Sequence, residues 1–123
     1  MTTIKIEKRI GTKWINLSVP LTGVTRVNAS KLGTGYRWLS VLVTVVEGAL
    51  TISSIKTSGL HSPKLTAPAV GTKFAAGASF TVSCSVGPLD ATHTGSWGLA
   101  NYYLYTKELG KIIGVAAQVV YSA

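Results

Sequence analysis

Phe80-Thr-Val-Ser-Cys-Ser-Val86 is the stretch whose reading decides the fold. Phe80, Val82, Cys84 and Val86 fall on one parity; Thr81, Ser83 and Ser85 fall on the other. Side chains alternate faces along a strand, so this pattern predicts a strand with an apolar face on a core and a hydroxyl face nearer water. Val82 and Cys84 are expected to be buried, and Thr81 and Ser83 more exposed. Phe74-Ala-Ala-Gly-Ala-Ser79 leads into the strand and Gly87-Pro88 stops it.

The same alternation recurs along the chain. Thr3 to Glu7 predicts a short opening strand with Ile4 and Ile6 inward. Trp14 to Leu21 predicts another, with Ile15, Leu17, Val19 and Leu21 on one face. Pro20 lacks a ladder donor and makes it an edge strand or the end of one. Thr22 to Gly35 is rich in Gly, Thr, Asn and Ser and predicts a long loop holding a short strand around Val24 and Val27. Tyr36 to Val46 is apolar and β-branched at nearly every position, which suits a central strand covered on both faces. A buried helix is the rival reading; the Val-Thr-Val-Val content and the stop at Glu47-Gly48 favour the strand.

Leu50 to Ile55 predicts the next strand, with Glu47-Gly48-Ala49 as a hairpin turn. Leu60 to Thr72, with Pro63, Pro68 and Gly71, predicts an extended connection between sheets. Beyond the polar loop Gly87 to Ser96 come a strand over Leu99 to Thr106, a turn at Glu108 to Lys111, and a closing strand with Ile113, Val115, Ala117, Val119 and Tyr121 on one parity. A helix over Trp97 to Ile113 is the alternative, opposed by Gly98, Gly110 and the adjacent tyrosines. The expected fold is all-β: an antiparallel β-sandwich, immunoglobulin-like or jelly-roll-like, of seven to nine short strands with no major helix. It fills a single domain over residues 1–123, with an N-terminal basic strand or arm over about residues 1–13.

Several short motifs resemble the abnormal-spindle and major-sperm-protein class of immunoglobulin-like domains. They are Ile52-Ser-Ser-Ile55, Ser58-Gly-Leu60, Leu65-Thr-Ala-Pro68, Phe74 to Val82, Val86-Gly-Pro88 and Gly95-Ser-Trp97. The resemblance covers Leu50 to Tyr121 and leaves out the first 49 residues. It implies a sandwich, a fold that serves scaffolds and adhesins alike, and so implies no particular role.

Composition narrows the function. Hydrophobic residues make up 46% and charged residues 13%, against a usual charged share of about 25%. A surface so poor in charge is filled with Thr, Ser, Gly and Asn or covered by neighbours. The net charge of +8 reflects only four acids, Glu7, Glu47, Asp90 and Glu108. Lys5, Lys8, Arg9, Lys13, Arg26, Lys31 and Arg37 crowd the first third, and are the candidate contacts to nucleic acid or an acidic partner. They form no consecutive basic run, so the rival reading is a solvated set of charges. The opening residues lack an apolar signal-peptide segment, and the longest apolar run, Trp38 to Val46, is short for a membrane helix; synthesis in the cytoplasm without membrane insertion is expected.

The chain offers no convincing chemistry. Asp90, His93 and Ser96 share one Gly-flanked loop, whereas catalytic triads converge from distant rigid elements. His61, His93 and the inward Cys84 do not make a zinc set. Gly33-Thr-Gly35 precedes a strand and so lacks the helix N-terminus of a phosphate cradle. No catalytic residue, metal or cofactor is expected. Asn101, Tyr103 and Tyr105 share a face opposite Tyr102 and Leu104, making Tyr103 and Tyr105 the candidates for stacking or an interface.

The best-supported function is a structural subunit of a virus or bacteriophage particle (capsid, decoration or tail protein), located in the virion. Its partners are copies of itself or another particle protein, joined through the edge strands Thr3 to Glu7 and Ile112 to Tyr121. Deletion of Met1 to Glu7 is expected to leave a folded domain that assembles poorly. The alternatives are a coat protein binding RNA or DNA through the basic first third, and a carbohydrate- or surface-binding module using the tyrosine face.

Overall fold

Alternating apolar residues become strands in a computed structural model that describes residues 1–11, 15–29, 35–60, 62–87 and 97–121, with backbone alone at 28–29, 97 and 119–121. Nine strands form among them: β1 (Thr3–Ile10), β2 (Leu21–Ala29), β3 (Tyr36–Glu47), β4 (Ala49–Gly59), β5 (Lys64–Thr66), β6 (Lys73–Ala75), β7 (Ser79–Val86), β8 (Trp97–Thr106) and β9 (Gly110–Tyr121). No helix occurs among the described residues. One sheet has the order β1-β3-β7-β5, the other β2-β9-β8-β4-β6. All neighbours are antiparallel except β2, which runs parallel to β9. Together they make a β-sandwich.

The core lies between the two sheets and is built as strand periodicity dictates. β7 contributes Phe80, Val82, Cys84 and Val86; β3 contributes Leu39, Val41, Val43 and Val45; β8 and β9 answer with Ala100, Tyr102, Leu104, Ile113, Val115 and Ala117. Ile4 and Ile6 of β1 are buried with them. Phe74 of β6 stacks on Phe80 across the sandwich, with ring centroids 4.5 Å apart.

Two β-bulges add residues to the core that strict alternation would turn outward. Arg37 pairs with Ser85 and Leu39 with Cys84, so Trp38 is the extra residue and is buried alongside Leu39. Its indole meets Tyr102 edge-on at 5.5 Å and 63°. Trp38 Nε1 donates to the Tyr102 hydroxyl (3.2 Å), which donates to the Ser85 carbonyl (2.6 Å). In β9, Leu104 pairs with Ile113 and Tyr105 with Lys111, so Ile112 is the extra residue, and both Ile112 and Ile113 are buried. A bulge bends its strand and re-aims side chains in this way.

Five expectations need correction. The strand expected over Trp14 to Leu21 does not form at residues 15–20: Asn16 and Thr22 exchange backbone hydrogen bonds and the Asn16 side chain accepts from the Ser18 N–H. That Asx-type turn reverses the chain, leaving Ile15 buried but Leu17 and Val19 exposed. The loop expected from Thr22 to Gly35 is strand as far as Ala29, because β2 pairs with β9 over its whole length and buries Leu21, Thr25 and Val27. Glu47 to Ala49 is not a hairpin: β3 and β4 lie in different sheets. Gly48 makes the crossing at φ 78°, roofed by the N-terminus, where an added Cβ would lie 2.8 Å from the Met1 carbonyl oxygen. β3 is central but covered fully on one face only, since Leu42 and Thr44 are half-buried and Val46 is exposed on the other. Ser83 is buried rather than exposed, because its hydroxyl donates to the equally buried Ser40.

The core makes two stability predictions. Val82→Asp places an unpaired charge between the sheets and is expected to cost more than about 3 kcal/mol in chemical denaturation. Tyr102→Phe keeps the ring but strands the Trp38 N–H and the Ser85 carbonyl. It should cost about 1–3 kcal/mol, and a variant as stable as the parent would remove this hydrogen-bonded pair from the account of the core.

Candidate functional site

The five strands of the second sheet, β2, β9, β8, β4 and β6, contain no Asp or Glu, but each of β2, β4, β6 and β9 carries one cation: Arg26, Lys56, Lys73 and Lys111. Inward positions on these strands are filled by Leu21, Ile52, Leu104 and their neighbours. Residues of the opposite parity therefore share the outer face. The strand register aligns them in rows: Lys56 beside Tyr103 beside Gly114, and Ser58 beside Asn101 beside Ala116. Val24 continues the second row on β2.

Two features shape this face around the tyrosines. The β9 bulge brings Lys111 into register with Tyr105. Gly114, lacking a side chain, lets Lys111 fold back along the sheet; an added Cβ would lie 3.2–3.4 Å from the lysine's outer carbons and amine. Lys111 Nζ then stands 5.9 Å from the centre of the Tyr103 ring, and Lys56 Nζ stands 5.8 Å from that of Tyr105. Both distances are at the outer reach of a cation–π contact, so the amines are loosely held there. Between the side chains lies a shallow depression of ≈ 330 Å³, lined by Tyr103, Asn101, Lys111, Gly114, Val24 and neighbouring backbone.

The candidate cations of the first third do not form one surface. Lys5, Lys8, Arg9 and Arg37 belong to the four-stranded sheet, whereas Arg26 lies on the outer face of the five-stranded one. Lys5 is engaged with Glu7 at 3.7 Å. Lys13 and Lys31 lie outside the described residues, as do His61, Asp90, His93 and Ser96. Tyr103 and Tyr105 share one face with Asn101, half-buried, while Tyr102 and Leu104 point into the core. Among the described members of the basic set, Arg26 alone is brought to the tyrosine-bearing face. Lys56 and Lys111 were not among the candidates, because their partnership with the tyrosines depends on strand pairing. The spacing of Lys56 and Tyr103 in sequence gives no hint of it.

Glu108 and Cys84 both have structural roles. Glu108 accepts from the Thr51 N–H (2.7 Å) and hydroxyl (2.9 Å), fastening the β8–β9 turn to β4. Among the described residues no three His, Cys, Asp or Glu side chains gather as metal ligands, and no helix is long and apolar enough to cross a membrane. Cys84 is buried, and burial pushes its thiol up from 9.0 to about 12. It is a core residue, poorly disposed to act as a thiolate. Above pH 9 the unfolded chain loses this proton while the folded chain keeps it, so its contribution to stability falls as pH rises from 9 towards 12. The expected loss is about 1.4 kcal/mol per pH unit in that window. Urea titrations at pH 8 to 10.5 should show the gap between the parent and Cys84→Ala closing as pH rises; a constant gap would refute the shift.

No protein-family model matches the chain. No curated protein and no solved structure is significantly similar to it.

Proposed function

We propose that this chain is a structural subunit of a virus or bacteriophage particle that assembles through an edge of its five-stranded sheet. The observation that carries the reading is the open edge of β2. This strand pairs with β9 over nine residues without a register shift, and among the described residues no strand lies on its other edge, where Asn16 alone bridges to Thr22. It contains no proline and no lysine, its single charge is Arg26, and Val24 at its middle is 61% exposed. Natural sandwiches blunt such edges with bulges, lysines and prolines, because an open ladder recruits another strand. β1, the corresponding edge of the other sheet, is blunted in that way: it has two register shifts and carries Lys5, Lys8 and Arg9. The low charge and the exposed Leu17, Val19, Val46 and Val70 support a surface that neighbours cover.

This moves the contact from where the sequence placed it. β9 is no edge, being held between β2 and β8. Deleting Met1 to Glu7 would strip Ile4 and Ile6 from the core, so that truncation cannot isolate an assembly contact.

An immunoglobulin-like relationship is part of the same proposal, and strand order supports it. The constant-type immunoglobulin sandwich sets its first, second, fifth and fourth strands in one sheet and its third, sixth and seventh in the other. Leaving out β2 and β6, the seven remaining strands here follow the same scheme, β1-β3-β7-β5 against β4-β8-β9. The abnormal-spindle and major-sperm-protein class remains a proposal within it.

Light scattering on the purified chain tests the assembly. The parent is expected to form particles or oligomers whose mass is a multiple of 12.9 kDa. Val24→Lys, which sets a charge in the middle of the β2 edge, should reduce them to monomers, and Ile10→Lys on β1 should not. A parent chain that stays monomeric at high concentration would sink the reading.

A further inference from the structure

We propose that the outer face of the five-stranded sheet binds single-stranded RNA, with bases stacking on Tyr103 and Tyr105 and phosphates held by Lys56, Lys111 and Arg26. The inference concerns the flat face of the sheet rather than the edge contact of β2; Val24 and Arg26 belong to both regions, and the two readings are tested by separate measurements.

The charge on this face has one sign. None of its five strands contributes an acid, and Glu108, at the turn below them, is committed to Thr51 through both carboxylate oxygens. A face with cations on neighbouring strands and no acid among them complements a polyanion. Lys56 and Arg26 lie on strands three spacings apart, about 14 Å sideways, and Arg26 stands four residues along β2 from Thr22, which ends the row of Lys56 and Tyr103, so the two cations are set diagonally across the face. A backbone crossing the sheet meets one and then the other.

The aromatic groups select the form of the polyanion. Tyr103 and Tyr105 present half-buried rings on an open sheet surface, a platform on which an unpaired base can stack. A base inside a duplex is already stacked and cannot reach them. The amines over the two rings sit at the limit of attraction, 5.8 and 5.9 Å from the centroids. An incoming base displaces them at little cost, and each is then free to turn to a phosphate. Gly114 keeps the space beside Tyr103 open, and the depression there, ≈ 330 Å³, matches the lower end of ligand-sized clefts. Asn101 and Ser58 sit side by side in the adjoining row. Their amide and hydroxyl groups can pair with a ribose 2′-hydroxyl, the group by which proteins distinguish RNA from DNA.

Fluorescence anisotropy with a labelled oligouridylate, read over a salt series, tests the proposal on the full-length chain. Three phosphate contacts give a slope of log K against log salt of about −2, since each contributes about 0.7 on a single strand. Lys56→Gln, Lys111→Gln and Arg26→Gln should each flatten the slope by about 0.7. Tyr103→Ala should weaken binding by roughly 5- to 150-fold, the factor equivalent to about 1–3 kcal/mol of stacking, with the slope unchanged. Tyr103→Phe should bind like the parent, which separates stacking from any damage to the fold. Oligodeoxythymidylate should bind more weakly; equal binding would overturn the assignment to RNA. The site itself is refuted by any of three results: no binding at low salt, preference for a duplex of the same length, or Lys5→Gln and Arg9→Gln on the other sheet weakening binding while Tyr103→Ala does not. Viral assembly would be untouched by these results, because it is read from the mass of the chain without RNA.

Discussion

Trp38, Tyr102 and Ser85 form the link on which the sandwich depends. The indole N–H donates to the phenol and the phenol donates to a backbone carbonyl, so a single chain of hydrogen bonds joins β3, β8 and β7. Two of those strands belong to one sheet and the third to the other. Packing of aliphatic side chains holds two sheets together but permits them to slide; a directional pair of hydrogen bonds between buried partners does not. The bulge at Trp38 exists in service of this link, since without it the indole would point to the outer face. In antibody domains the second and sixth strands are joined by a disulfide. Under the proposed immunoglobulin-like scheme β3 and β8 take those places; they are joined by an aromatic pair, and Cys84 stays a free, buried thiol.

Much of the architecture was legible because it rests on local alternation. The parity of Phe80, Val82, Cys84 and Val86 is enough to orient β7, and the parity of Tyr102 against Tyr103 is enough to say which tyrosine faces the core. What was not legible rests on pairing between distant residues. Thr22 to Ala29 looks like loop in isolation because Thr, Gly and Asn weaken its strand signal; β9 supplies the partner that makes it a strand. Trp38 and Ile112 defeat a parity count because each is an inserted residue. The candidate site shows the same division. Asn101, Tyr103 and Tyr105 follow from one strand's alternation, while Lys56, Lys111 and Arg26 join them only through cross-strand register.

The two outer faces are chemically unlike. On the four-stranded sheet, hydroxyls dominate: Thr44 bonds Ser79 across the strands, and Lys5 is offset by Glu7. The five-stranded sheet keeps its cations unopposed on its own strands and adds aromatic rings. A subunit with such a polarity has an inherent inside and outside when placed in a shell, without any need for a separate basic tail. Edge contacts suit that arrangement, because strand addition extends a sheet in its own plane and leaves both faces free.

The parallel pairing of β2 with β9 also has a temporal consequence. Leu21 meets Ile113 and Ala29 meets Tyr121, so a segment synthesised early acquires its partner only when β9 has left the ribosome. Until then its buried Leu21 and Val27 have nowhere to go, and its ladder is open on both sides. Contacts so distant in sequence slow folding, and they tie the completion of the second sheet to the emergence of β9. A nascent fragment that stops short of β9 would therefore be a stickier molecule than the finished fold, so the order of synthesis leaves the chain open to premature association until β9 emerges.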